Sequence, residues 1–124
     1  MPNILLQTPI QAPILRCFDL SRSIDLHLTT SYLTDEKAID GVKNGLIGLN
    51  ETVTWKAWHF GMRLKLNTKI TEFQPPNLFV DEMIEGPFIS MRHVHRFEKF
   101  HSGTLMTDEF NFVTPYGKLG KAVD

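Results

Sequence analysis

A few side chains in the second half of the chain carry the chemistry to be placed first. His93 and His95 are separated by one residue. On an extended strand both imidazoles leave the same face, with Cα atoms about 6.5–7 Å apart, a spacing that can chelate one metal. Asp108 is the carboxylate that a hairpin turning at His101-Ser102 sets opposite His95. Facing residue numbers in that hairpin sum to about 203, which also pairs His93 with Phe110, Met91 with Phe112 and Phe97 with Met106. An aspartate that accepts from one imidazole nitrogen fixes the tautomer and leaves the other nitrogen as a base or a ligand anchor.

Glu82 joins this face if the preceding hairpin turns at Gly86-Pro87, which sets Glu82 opposite Met91 and Val80 opposite His93. Desolvation there favours the neutral acid. A bulge that turns Glu82 to solvent and brings Asp81 or Met83 inward is the competing arrangement. If a metal sat between the histidines, Asp108 or His59 would be its third ligand. The apolar neighbours Met91, Phe97, Met106, Phe110 and Phe112 favour two hydrogen-bonded histidines instead, and no metal or other cofactor is expected.

Elements that could position these groups follow from the hydrophobic period. Ile4 to Ile10 reads as a strand. Pro13 opens a short helix through Ile14, Leu15, Cys17, Phe18 and Leu20, and Ser21 or Ser23 caps a second through Ile24, Leu26 and Leu28. From Thr34 onward the period is two, punctuated by glycine and proline. It predicts an antiparallel meander of strands near 36–42, 51–60, 63–73, 78–85, 88–100 and 104–113. A turn at Gly61-Met62 pairs Val53 with Ile70, Trp55 with Thr68, Ala57 with Leu66 and His59 with Leu64, a mostly apolar inner face. Lys56, Trp58, Arg63, Lys65 and Lys69 are left on the solvent face.

Composition narrows the function classes. The 124 residues suit one domain spanning 1–124, and 42% apolar residues suffice for a core. Thirteen basic against fourteen acidic residues exclude the strong positive field of a nucleic-acid binder, and the lysine face reads as a solvated one. No run approaches the apolar length of a membrane span, and no secretory signal opens the chain. One cysteine, Cys17, fits a buried thiol in a reducing cytoplasm. Gly41, Gly45 and Gly48 lead into a strand and lack the lysine and hydroxyl ending of a nucleotide loop, so they read as tight turns.

The opening Thr8-Pro9-Ile10-Gln11-Ala12-Pro13 with Cys17-Phe18-Asp19-Leu20, the turn Gly45-Leu46-Ile47-Gly48-Leu49, Val53-Thr54-Trp55, Phe79-Val80-Asp81-Glu82-Met83, Phe88, His93, His95, Phe97, and Thr104 through Phe110 followed by Pro115-Tyr116-Gly117 together resemble the START-like (SRPBCC) superfamily. The resemblance spans the chain and implies the α+β helix-grip fold: a curved antiparallel sheet of about seven strands, with two short helices after the first. It also implies an apolar cavity and no metal. In that superfamily the sheet grips a long C-terminal helix, which here would begin after Pro115. The chain stops at Asp124, so most of that helix is expected to be missing, with a homodimer covering the open sheet face.

These readings converge on a binder of an apolar or amphipathic small molecule. Its cup would be lined by Trp55, Leu66, Thr68, Val80, Met91, Phe97, Met106, Phe110 and Phe112, with His59, Glu82, His93, His95 and Asp108 as polar contacts. The alternatives are an aromatic-cyclase-like enzyme moving a proton with His95 and Asp108, or an accessory domain accepting a partner helix. Loss of His95 is expected to cost more stability than loss of Asp108, because it strands a carboxylate in an apolar cup.

Overall fold

The computed structural model describes residues 3–30, 37–59 and 62–113. Strand β1 (Asn3–Ile10) leads into helices α1 (Ile14–Ser21) and α2 (Ile24–Thr30). Six strands follow: β2 (Lys37–Gly41), β3 (Thr52–His59), β4 (Met62–Gln74), β5 (Leu78–Glu85), β6 (Ser90–Phe100) and β7 (Gly103–Val113). They form one curved antiparallel sheet in the order β1-β7-β6-β5-β4-β3-β2. The meander places sequence neighbours side by side, and β1 closes the far edge against β7. Among the described residues no helix is long and apolar enough to cross a membrane.

Pro13 sits at the N-cap of α1 with extended backbone, where its missing N–H leaves no helical bond unmade. The Ser23 hydroxyl accepts from the Leu26 amide at 3.1 Å and so starts α2. Both helices turn their apolar sides to the inner sheet face, burying Cys17, Phe18 and Ile24 against Val53, Ile70, Phe79 and Phe97. Phe18 is the centre of this core: it is fully buried, with the rings of Phe73, Phe79 and Phe97 each 5.5 Å away. The glycine-bearing turn clamps the helix pair from outside, since Ile24 N–H donates to Gly45 O and Ile47 N–H to Arg22 O. Its amides are already satisfied by carboxylates, Gly45 N–H by Asp25 and Gly48 N–H by Glu51, which removes the donors a phosphate loop would need.

Two expected registers shift. The β3–β4 hairpin pairs Val53 with Thr68, Trp55 with Leu66, Ala57 with Leu64 and His59 with Met62. That last pair puts Met62 inside the ladder, and the expected tip at Gly61-Met62 falls partly outside the described residues. A slip of two keeps every side chain on its expected face. The β5–β6 pair slips by one, which does change faces. Val80 lies opposite Val94 and Glu82 opposite Arg92, while Asp81 faces His93. Four residues join β5 to β6 instead of a tight Gly86-Pro87 turn, and a bulge at Thr71 lets β4 follow the shifted strand.

The β6–β7 hairpin has the expected register throughout, with His95 opposite Asp108 and Phe100 opposite Gly103. Gly103 is required there. A Cβ at this position would meet the Ile10 carbonyl oxygen at 2.2 Å, whereas one at Gly45 would meet nothing within 4 Å. Gly103→Ala is therefore expected to cost about 1–3 kcal/mol by pushing β1 off the hairpin. In urea unfolding its midpoint should fall below that of Gly45→Ala, which has only backbone strain from a φ of +76° to bear. Equal midpoints would show that β1 can yield without loss.

Candidate functional site

Strand β6 runs between β5 and β7 and presents Met91, His93, His95 and Phe97 to the inner face in alternation. Each neighbouring strand supplies one carboxylate in register: Asp81 opposite His93, Asp108 opposite His95. The two imidazoles stack, with ring centroids 3.7 Å apart, and His95 also lies flat on Phe79 at 4.1 Å. Four titratable groups thus meet on an otherwise apolar surface.

One oxygen, Asp108 Oδ1, receives both rings. It is 3.0 Å from His93 Nε2 and 3.3 Å from His95 Nδ1. An ionised carboxylate only accepts, so those two nitrogens carry the protons. The far nitrogens face Asp81, His95 Nε2 at 3.6 Å from Oδ2 and His93 Nδ1 at 4.0 Å from Oδ1, both beyond hydrogen-bond length. Burial by itself pulls the His95 pKa down, but the carboxylates of Asp108 and Asp81 outweigh it and raise it to about 9. Burial likewise pushes Asp108 up, and the two histidines overcome this and hold its carboxyl well below the ordinary range.

The remaining expected residues divide by place. Met91, Phe110 and Phe112 lie on the inner face beside the cluster, with Phe88 packed edge-on against Phe112 at 5.5 Å. Phe97 and Met106 are inward too, but Phe97 is core, only 2% exposed, and Met106 packs against the core within 3.5 Å of the Ser21 hydroxyl. Trp55, Leu66 and Thr68 sit toward the other end of the sheet, where the Trp55 ring meets His27 at 4.3 Å. Val80 and Glu82, expected inward, occupy the outer face; there Glu82 approaches Arg92 at 3.9 Å, and Arg92 also pairs with Glu72. They leave the inner face because Phe79 and Asp81 take it. His59 ends β3, and its side chain, like those of Trp58 and Arg63 and the whole C-terminal segment 114–124, lies outside the described residues.

No protein-family model matches the chain, and no curated protein matches it. Solved structures do. TTHA0849 from Thermus thermophilus is similar at a TM-score of 0.75 and 20% identity, over 98% of this chain and 81% of that one. Ara h 8.0201 is similar at 0.69 and 11%, over 98% and 87%. Ginseng major latex-like protein 151 from Panax ginseng gives 0.69 and 13%, over 92% and 80%. The chain has the helix-grip fold. At these identities the likeness is one of architecture, so the chemistry of the helix-grip site must be argued from its own residues.

Proposed function

We propose that the inner face of the sheet binds an apolar or amphipathic small molecule, with its apolar body on the β1–β7–β6 half and its polar end at His93. The observation that carries this is where apolar surface stays open. In register with Phe110 and Asp108 on β7, Ile4 and Leu6 of β1 are 52% and 57% exposed, next to the Phe88, Phe110 and Phe112 rings. A greasy floor with a few convergent polar groups is the usual make-up of a small-molecule site. His93 is the exposed member of the histidine pair, its side chain 26% accessible against 12% for His95. A ligand on this floor therefore meets His93 first, which supports anchoring over proton transfer by His95 with Asp108.

Calorimetric titration with sodium dodecanoate below its micelle concentration tests the reading. Saturable one-to-one binding is expected, weakened about tenfold in Phe110→Ala, the loss that follows from withdrawing part of one aromatic contact. Binding unaffected by Phe110→Ala would place the ligand elsewhere. The same open stripe is the surface a second copy would cover, so a homodimer that dissociates on adding dodecanoate is the expected sedimentation result.

A further inference from the structure

We propose that Asp81, His93 and His95 form a binding site for one divalent transition-metal ion of the zinc class, with Asp108 holding both histidines from behind. This site shares His93 with the small-molecule reading but follows from a different observation, the direction of lone pairs, and its test reads metal binding without any small molecule. Asp108 Oδ1 lies against His93 Nε2 and His95 Nδ1, so in the neutral rings it fixes both protons on its own side. In that neutral form the opposite nitrogens, His93 Nδ1 and His95 Nε2, turn lone pairs toward Asp81, whose carboxylate can only accept, and a metal there takes the place of the proton that the metal-free His95 holds up to about pH 9. Three acceptors converge, and their ligand atoms lie within 4.8 Å of one another. Asp81 Oδ1 and His95 Nε2 are buried and have no hydrogen-bond partner among the described residues. A cation between them satisfies all three at once.

The donor set points to the kind of cation. Two imidazoles and one carboxylate suit zinc and its neighbours, whereas magnesium and calcium take all-oxygen sites. Metal–ligand lengths of about 2.0–2.2 Å in a tetrahedron put ligand atoms roughly 3.3–3.6 Å apart. The 3.6 Å between Asp81 Oδ2 and His95 Nε2 is already close to this, and His93 Nδ1 at 4.0 Å from Asp81 Oδ1 needs only a small side-chain movement. Asp108 is the outer carboxylate that such histidines commonly require. Three protein ligands leave one coordination position for water or for a donor atom of a bound molecule. Of the third ligands that the sequence offers, Asp108 stands behind the rings and the His59 side chain lies outside the described residues. Asp81 takes the role, through the β5–β6 register.

The test uses the whole chain stripped with a chelator and titrated with Zn²⁺ and, separately, Mg²⁺, with calorimetry and native mass spectrometry for stoichiometry. Long-range ¹H–¹⁵N spectra report on the imidazole nitrogens. One Zn²⁺ per chain and no Mg²⁺ is expected, with His93 Nδ1 and His95 Nε2 shifting as ligated nitrogens. Asp108→Asn should weaken Zn²⁺ binding about 10- to 100-fold. His93→Gln should abolish stoichiometric binding with the fold intact by circular dichroism, while the double variant His27→Gln/His101→Gln, remote from the cluster, keeps it. Absence of stoichiometric Zn²⁺ binding, full binding in His93→Gln, or ligation shifts at other histidines would overturn the proposal. If His93→Gln does not fold, the wild-type nitrogen shifts and Asp108→Asn decide.

Discussion

Phe18→Ala is expected to lower unfolding stability by about 3–5 kcal/mol, the range for removing a fully buried phenylalanine from a core. Phe18 is the knob by which α1 engages the sheet. It is 0% exposed, and it touches rings from β4, β5 and β6 at equal centroid distances of 5.5 Å. The Arg22 guanidinium also lies 5.6 Å over its face. A domain of this size has roughly 5–15 kcal/mol in hand, so this one change takes a large share. The damage should reach the candidate site as well, because Phe79, one of the three rings, is the platform on which His95 stacks. Urea unfolding followed by fluorescence measures the effect. A loss under about 1 kcal/mol would mean that the helices are not held by this contact.

The second large effect is electrostatic and concerns the metal-free protein. Raising His95, a side chain largely shielded from solvent, from 6.5 to about 9 corresponds to about 3 kcal/mol of folding stability. Because the folded value is the higher one, this contribution is fully present below pH 6.5 and is lost as pH rises through about 9. Asp108 behaves in the opposite sense. Its folded value is depressed, so its share is present above the ordinary carboxylate value of 3.8 and is lost as pH falls below it. Stability should therefore form a plateau between about pH 4 and 6.5 and decline on the alkaline side. Asp108→Asn removes the carboxylate nearer to His95 and should flatten that alkaline decline. An unchanged alkaline limb in the variant would show that Asp108 does not hold the His95 proton.

The geometry also reverses an expectation from the sequence. Asp108 serves two histidines, so losing His95 still leaves it the His93 Nε2 donor at 3.0 Å. Losing Asp108 leaves both rings without their acceptor. Asp108→Ala is accordingly expected to destabilise more than His95→Ala, the opposite of the order that a single His95–Asp108 pair implies.

Which parts were legible in the sequence depends on how sharply the alternation was written. Along β6, Met91, His93, His95 and Phe97 alternate with Arg92, Val94, Arg96 and Glu98, three of the four charged, and a two-residue turn ends the strand, so one register places most of the apolar set inward. The pairing of His95 with Asp108 followed from that. Along β5 the signal is double: Phe79 and Val80 are both apolar, Asp81 and Glu82 both acidic, and either phase gives a plausible inner face. The four-residue connection to β6 removes the constraint of a tight turn, and so the sequence offers Asp81, the residue that completes the cluster, only as an alternative to Glu82. A usable signal was present in the charges. Setting Glu82 opposite Arg92 and Lys69 makes two opposite-charge neighbours on the outer face and forces Asp81 inward. The bulge at Thr71 left no comparable mark, because its effect is to absorb a shift set by another strand.

Whether the inner sheet face is the binding surface is tested most directly by chemical-shift mapping with dodecanoate. The expected result is saturable shifts at Ile4, Leu6, Phe110, Phe112 and His93. Shifts confined to the groove on the outer side of the helix pair, at Leu15, Leu20 and Leu46, or no saturable shift at all, would contradict it.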